Sequence, residues 1–216
     1  MIYIKKGHEP ASLTAYKKQK FAYYDGCDKD DIREKLLEEQ GYICAYCMRR
    51  IDKKHMKIEH WYPEDRLSDV QTLDYRNMLG CCEGHISGTD GDDDTCDTHK
   101  GNTVITVNPL DSSTLQSIQY RSASGEIYST RDDIEKDLDK TLNLNSGCHM
   151  LKMNRKHLLN QVITELRRLQ KSGTWSRAVL EKVKAAYENK DAEGRKKEYA
   201  GIVIWYIDKK LKTVTK

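Results

Sequence analysis

Cysteines in two groups are the residues of this sequence best suited to binding a metal ion. Cys44 and Cys47 are separated by two residues, so one tight turn can present both thiolates to a tetrahedral zinc ion, about 2.3 Å from each sulfur. Cys96, with either Cys81 or Cys82, can complete the set. A redox pair or simply buried cysteines are the alternatives, but a thioredoxin-like pair requires a βαβ context that is absent here. We therefore predict a structural zinc site that contributes folding energy.

Four further residues, interleaved with the cysteines, are suited to cutting a phosphodiester bond: Glu59, His60, Asn77 and Asp97. Such hydrolysis needs a base that deprotonates water and a cation that neutralises the phosphate and the leaving oxygen. An imidazole can be the base, two carboxylates can hold the cation, and an amide can fix a loop. Because adjacent strand residues point to opposite faces, Glu59 and His60 can perform different tasks at one strand end.

The order of these motifs resembles the HNH endonuclease family with a four-cysteine zinc site. The resemblance implies a ββα-metal core in which His60 is the general base, Asn77 holds the catalytic loop, and Glu59 and Asp97 bind Mg²⁺ or Mn²⁺. The motif register, counted from Asn77, favours Cys82 over Cys81 as the third thiolate. The matching segments are Cys44-Ala-Tyr-Cys47, Ile58-Glu59-His60, Asn77-Met78-Leu79 leading to Cys82, and Cys96-Asp97-Thr98-His99-Lys100.

Three features depart from the family pattern. Glu59 stands where Asp or His is commoner, and Asp97 stands where His or Asn is usual. His99 is an alternative ligand to Asp97, although hard oxygen ligands suit Mg²⁺ better. Residues 83–95 separate Cys82 from Cys96, where the family often has only two residues, and we interpret this Asp-rich stretch as a solvated loop.

A closer resemblance covers roughly residues 1–165 and is to the PtuB-type HNH proteins of bacterial Septu and retron anti-phage systems. It implies a partner, the ABC-type ATPase PtuA, together with a retron reverse transcriptase and its RNA/DNA product in the retron case, and a nuclease held in check until infection. The segments that carry it are Gly-His-Glu-Pro-Ala-Ser-Leu at 7–13, Glu-Glu-Gln-Gly-Tyr-Ile-Cys-Ala-Tyr-Cys-Met at 38–48, Ile-Glu-His-Trp at 58–61, Tyr-Arg-Asn-Met-Leu-Gly at 75–80, Cys-Asp-Thr-His-Lys-Gly-Asn at 96–102 and Leu-Asn-Leu-Asn at 142–145.

The elements that must position these residues indicate an α+β chain. We expect an N-terminal arm and helix over 1–41, a zinc-stapled ββα-metal nuclease core over 42–110, a hairpin and helix over 111–150, and a basic helical module over 151–216. The patterns predict helices over 28–40 and 132–142, a strand over 103–107 and a hairpin of 118–121 with 126–129. Of three C-terminal helices, the first ends near Gly173, the second is capped by Thr174, and the third begins near Asp191.

Charge and composition bound the function further. Hydrophobic residues make up 38% of 216 residues and the mean hydropathy is −0.81, so the core is thin and a metal or partner would help to hold it. From residue 151 onward the chain has 17 basic and 7 acidic side chains, which predicts phosphate contact unless these are merely solvated helix faces. The predicted nucleic-acid contacts are Lys100, Arg167, Arg168, Arg195, Lys196 and Lys197.

Two rival interpretations belong to other functional classes. A zinc-organised module that binds nucleic acid or a partner without cutting it would lack a metal ligand or a base, whereas both are present here. A thiol redox protein would carry a reactive Cys44 or Cys47. No segment resembles a signal peptide or a membrane span, so we expect a cytoplasmic protein that does not insert into membranes.

Overall fold

The computed structural model describes residues 1–88, 90–170 and 175–214. Its strands are β1 (Lys57–His60), β2 (Met78–Cys81), β3 (Ile118–Tyr120) and β4 (Ile127–Ser129). Its helices are α1 (Ala11–Tyr16), α2 (Lys29–Gln40), α3 (Asp69–Thr72), α4 (Cys96–Lys100), α5 (Ser112–Leu115), α6 (Asp132–Lys136), α7 (Leu151–Leu169), α8 (Arg177–Glu188) and α9 (Ala200–Leu211). The predicted α+β class is confirmed. None of the described helices combines the length and the apolar character needed to cross a bilayer.

Helix α2 forms where its end signals predict. The Asp28 carboxylate accepts a hydrogen bond from the N–H of Asp30 and so caps the first turn. Ile32 and Leu36 are buried on the inner face. Gly41, at φ 67°, ends the helix in the left-handed conformation that a residue without a Cβ adopts most easily. The chain then enters the first pair of cysteines.

Two small antiparallel sheets organise the rest of the first 150 residues. β1 pairs with β2 so that Glu59 faces Leu79 and His60 faces Met78 across the ladder. The helix α3 lies between β1 and β2, and the short helix α4 follows β2 after residues 82–95. β3 and β4 form the second sheet at the predicted hairpin, with Gln119 opposite Tyr128.

The strand predicted over 103–107 is wrong, and the predicted helix over 132–142 changes its winding. Asp137 explains the first difference. Its Oδ2 accepts hydrogen bonds from the N–H groups of Thr106 and Val107, at 2.6 and 2.9 Å, so that segment bonds to a side chain rather than to a neighbouring strand. From Asp137 to Thr141 the chain winds as a π-helical turn. A buried carboxylate therefore replaces the backbone ladder that the apolar pattern suggested.

The C-terminal helices pack through apolar faces. Leu159, Val162 and Leu166 of α7 are buried, and the apolar run in α9 is helical, as predicted. Ser176 caps α8 by accepting from the N–H of Val179. Gly173 and Thr174, the predicted end of α7 and cap of α8, lie outside the described residues.

The third C-terminal helix begins at Ala200 and not near Asp191. The Asp191 carboxylate accepts hydrogen bonds from the N–H groups of Glu193 and Arg195, which forms a turn instead of a helical first turn. The segment before α9 then lies along the first cysteine turn, because the N–H of Tyr199 donates to the carbonyl of Met48, at 3.1 Å.

Candidate metal centre and active site

Four buried cysteines come together in the described part of the chain, namely Cys44, Cys47, Cys82 and Cys96. Their sulfur atoms all lie within 4.8 Å of one another. The Cys44 and Cys96 sulfurs are 3.8 Å apart, and those of Cys47 and Cys82 are 3.7 Å apart. Tetrahedral bonds of about 2.3 Å to one zinc ion place neighbouring sulfurs about 3.8 Å apart. The residues therefore fit a zinc ion in composition and in spacing.

Local backbone structure explains how these thiolates meet. In the first turn the N–H of Met48 donates to the Cys44 carbonyl at 3.0 Å, and Met48 itself is left-handed, at φ 63°. Cys82 follows directly after β2. Cys96 opens α4, and its N–H donates to the Leu142 carbonyl at 2.9 Å. Turn, strand end and helix start thus each contribute to one centre.

Cys82, and not Cys81, belongs to this quartet. Cys81 is the last residue of β2 and pairs with Lys57 across the ladder. Its thiol is buried, and burial raises its pKa well above the ordinary value, with the Cys44 thiol adding to the rise. The spacing of the sulfur atoms favours the register counted from Asn77, and Cys82 as the third zinc ligand stays a prediction.

Glu59 lies in the interior beside the metal centre. It is 4% exposed, and its Oε1 accepts a hydrogen bond from the Tyr46 hydroxyl, at 2.9 Å. The Lys100 ammonium is 2.7 Å from the same oxygen. Burial, followed by the neighbouring Asp97 carboxyl, raises the pKa of Glu59 to about 9, although Lys100 acts in the opposite direction. Glu59 and Asp97, one from β1 and one from α4, are therefore next to each other.

Two side chains that contact Glu59 differ from expectation. Lys100 was predicted to contact nucleic acid, but its side chain is 1% exposed and points inward to Glu59 and to the carbonyl of His60, at 3.2 Å. The buried ammonium donates hydrogen bonds to Glu59 and to the His60 carbonyl, which replace the water it has lost. Tyr46 was not predicted at all, because nothing in its position between two cysteines distinguishes a carboxylate partner from a spacer.

His60 has a separate set of neighbours. Its Nε2 is 2.7 Å from the Thr72 carbonyl, and its ring meets the Tyr24 ring edge-on, with the centroids 4.7 Å apart. A carbonyl can only accept, so Nε2 carries the proton and Nδ1 keeps its lone pair in the neutral ring. The Glu64 carboxylate lies 3.5 Å from Nδ1. Strand alternation accounts for this arrangement, since His60 and Glu59 are consecutive in β1.

Asn77 holds the chain immediately after His60. Its Oδ1 accepts from the N–H of Tyr62, at 2.8 Å, and its Nδ2 donates to the Tyr62 carbonyl, at 2.9 Å. The Asn77 carbonyl also accepts from the N–H of Trp61, at 2.9 Å. These three hydrogen bonds extend the contact between the two strands past the end of β1. The predicted role of Asn77 in fixing this loop agrees with that geometry.

His99 does not join Glu59 and Asp97. Its Nδ1 is 3.0 Å from the Thr141 carbonyl, in the π-helical turn. Asp97 is thus the neighbour of Glu59, while His99 joins α4 to the turn. In the loop after Cys82, His85 pairs with Asp94, at 2.7 Å, and half of its side chain is exposed.

The predicted basic contacts form two surface groups. Arg167 and Arg168 are exposed near the end of α7. Arg195 lies over the ring of Tyr42 and Lys197 over that of Tyr187, and both are exposed. Lys196 is only half-exposed, and its ammonium donates to the Glu188 carbonyl.

An open cleft of about 410 Å³ adjoins the segment that follows His60. One wall comes from the residues after β1 and the other from the chain around the start of β2. The cleft combines two aromatic rings with a guanidinium and three side-chain amides, a mixture suited to nucleotides. Its lining residues are Trp61, Tyr62, Leu67, Gln71, Asp74, Arg76, Asn77, Asn108 and Leu110.

No profile of a known protein family matches the chain, and no curated protein matches it. The candidate site is therefore described by its own geometry. That geometry comprises a four-thiolate centre, the buried Glu59 next to the partly buried Asp97, an oriented imidazole and an asparagine that fixes the segment after His60.

Proposed function

We propose that the protein is an HNH-type endonuclease that hydrolyses phosphodiester bonds of nucleic acid with the help of a divalent metal ion. The adjacency of Glu59 and Asp97 carries the proposal. Two carboxylates side by side offer the hard oxygen ligands that Mg²⁺ and Mn²⁺ prefer. When bound there, the ion would supply the positive charge that neutralises the phosphate and the leaving oxygen.

His60 is the general base of the proposed reaction. Its Nε2 proton is engaged by the Thr72 carbonyl, so the lone pair on Nδ1 is available to take a proton from water. Water gives one proton to Nδ1 as its oxygen attacks phosphorus, the bond to the leaving oxygen breaks, and that oxygen takes a proton from solvent while Nδ1 later returns its own to solvent. Asn77 keeps the loop after His60 in place through its two hydrogen bonds to Tyr62.

Lys100 occupies the position of a competing cation in this scheme. Its ammonium lies 2.7 Å from Oε1 of Glu59, one of the two carboxyl groups that would hold the ion. A divalent ion held by Glu59 and Asp97 would therefore compete with Lys100 for Glu59.

The resemblance to PtuB-type proteins also supports a biological setting, which we propose together with the activity. The nuclease would act in the cytoplasm with an ABC-type ATPase as part of anti-phage defence. In a retron version, a reverse transcriptase and its RNA/DNA product would join the assembly. The basic C-terminal helices offer phosphate-binding groups for any of these nucleic acids.

The decisive experiment incubates plasmid, linear DNA and total tRNA with the purified protein and Mg²⁺ or Mn²⁺, with and without an ABC-type ATPase of the PtuA kind. His60→Ala should abolish cleavage and leave the zinc content unchanged. His157→Ala is the matched control, because His157 is exposed on α7 and bonds only to Gln161 within the described residues. Full cleavage by His60→Ala would refute the assignment of the base.

One observation favours a second candidate, a zinc-organised module that binds nucleic acid or a partner without cutting. Glu59 already has two hydrogen-bonding partners on one oxygen, and His60 is only 5% exposed. Such a module would bind nucleic acid equally well in the wild type and in His60→Ala, and neither protein would cut it with any divalent ion.

A further inference from the structure

A loop with exposed aromatic rings follows α1. In this Phe21 loop, residues 17–23, the side chain of Phe21 is 79% exposed and that of Tyr23 is 51% exposed. Phe21 is the sole phenylalanine of the sequence. Leaving a large ring in water forgoes the free energy that burial of an aromatic side chain provides, so two such rings within three residues indicate a surface that contacts something else.

The same loop is positively charged. Lys18 and Lys20 are exposed, and neither forms an ion pair with an acidic side chain in the part of the chain that the structure describes. Lys17, by contrast, pairs with Glu9. The Lys20 ammonium lies 5.4 Å from the centre of the Phe21 ring. Ring faces and free cations therefore occupy one small surface.

Contacts connect this loop with the proposed catalytic base. Tyr24, the next residue along the chain, meets the His60 ring edge-on, with the centroids 4.7 Å apart. The turn Tyr24–Gly26 also packs against α3, whose Thr72 carbonyl fixes the His60 ring. The Phe21 loop thus leads to the imidazole side of β1, where His60 lies, and not to the side of Glu59.

We propose that the Phe21 loop binds single-stranded nucleic acid, with Phe21 stacking on an unpaired base and Lys18 and Lys20 contacting the backbone. The inference rests on the proposed function and names its substrate class. A polyanion satisfies the free ammonium groups, and only an unpaired base offers a ring face to Phe21, because the bases of a duplex are stacked on one another. A loop that binds an acidic, apolar protein segment instead would show no preference for single strands over duplexes.

Binding is best measured without cleavage, in the His60→Ala background, with fluorescent single strands of DNA and RNA and with the matching duplexes. Phe21→Ala should weaken single-strand binding roughly tenfold, the loss of one stacked base. Phe21→Trp should bind single strands as the parent protein does, because an indole ring also stacks on a base. Tyr3→Ala is the matched control, since Tyr3 is an aromatic residue, 49% exposed, outside the loop, and its replacement should change nothing. Lys20→Ala should make binding less dependent on salt.

The outcomes separate this proposal from the nuclease proposal. Equal single-strand binding by Phe21→Ala and Tyr3→Ala would overturn the stacking role, and so would a parallel loss of duplex binding. Phe21-dependent binding in a protein that never cleaves would support the loop and refute only the nuclease. Melting temperatures within error of the parent protein confirm that each variant is folded, as expected for exposed positions.

Discussion

The Lys100 ammonium lies 2.7 Å from Oε1 of Glu59 at a place where their side chains are only 1% and 4% exposed, respectively. Burial removes the hydration of both groups, so each depends on the hydrogen bond between them. Removing one partner therefore leaves the other buried without that bond, whereas removing both leaves neither. This relationship determines how the candidate site should respond to mutation.

Lys100→Met should destabilise the protein by about 1–3 kcal/mol, since the buried Oε1 of Glu59 then loses the hydrogen bond from the ammonium. Glu59→Gln with Lys100→Met should recover most of that loss. Urea unfolding of the wild type, the two single variants and the double variant completes a thermodynamic cycle. Additive losses would show that the two groups do not interact.

The proton on Glu59 should make stability depend on pH. The ordinary pKa is 4.5, and burial beside Asp97 raises it to about 9, so between these values the native state holds a proton that the unfolded state has lost. Stability should consequently fall as pH rises through this window, by on the order of a few kcal/mol. Urea midpoints at pH 6 and pH 8.5 should converge in Glu59→Gln. An identical pH response in wild type and variant would contradict the shift.

Two neighbouring cysteines provide a matched test of the zinc centre. Cys82→Ser removes one of the four converging thiolates and should lower the zinc content of the purified protein or unfold it. Cys81→Ser changes a buried thiol of β2 outside the quartet and should keep one zinc ion per chain. Elemental analysis of both proteins measures the difference. Loss of zinc from Cys81→Ser but not from Cys82→Ser would instead identify Cys81 as the third ligand.

Thiol reactivity should distinguish zinc binding from redox chemistry. Cys148 is exposed and the other six cysteines are buried, so native protein should show one fast-reacting thiol. A zinc chelator should then make four more thiols reactive. Rapid alkylation of Cys44 or Cys47 without chelator would favour a redox protein.

Asn77→Ala should cost about 1–3 kcal/mol of stability through the loss of two hydrogen bonds to Tyr62, and should reduce cleavage further than it reduces stability. Asn145 is the natural control, because it makes the same two-sided contact with the backbone of Ile127, at 3.0 and 2.9 Å. Asn145→Ala should destabilise the protein and leave the cleavage rate of the folded fraction intact. Equal rates in both folded variants would remove Asn77 from the proposed active site.

Local signals made part of this structure predictable. Asp28 and Gly41 delimit α2 because caps act within one turn of the chain. The turn between Cys44 and Cys47 follows from their spacing, and the opposite faces of Glu59 and His60 follow from the strand period. These features depend on residues that are close together in sequence.

Contacts between residues that are far apart in the chain could not be predicted from the sequence. The apolar pattern of 103–107 is that of a strand, but the Asp137 carboxylate, some thirty residues away, takes its hydrogen bonds. Lys100 looks like a surface cation until Glu59 is placed 41 positions earlier in the chain and next to it in space. In both cases a buried side chain changes the meaning of a local pattern.

The thiolate quartet also has a consequence for synthesis on the ribosome. The first and last cysteines that meet, Cys44 and Cys96, are 52 residues apart, and Asp97 and Lys100 come directly after the last one. A nascent chain cannot close the centre, or pair Glu59 with its cation, before this stretch leaves the exit tunnel. The proposed nuclease activity therefore cannot begin before this part of the chain has been made.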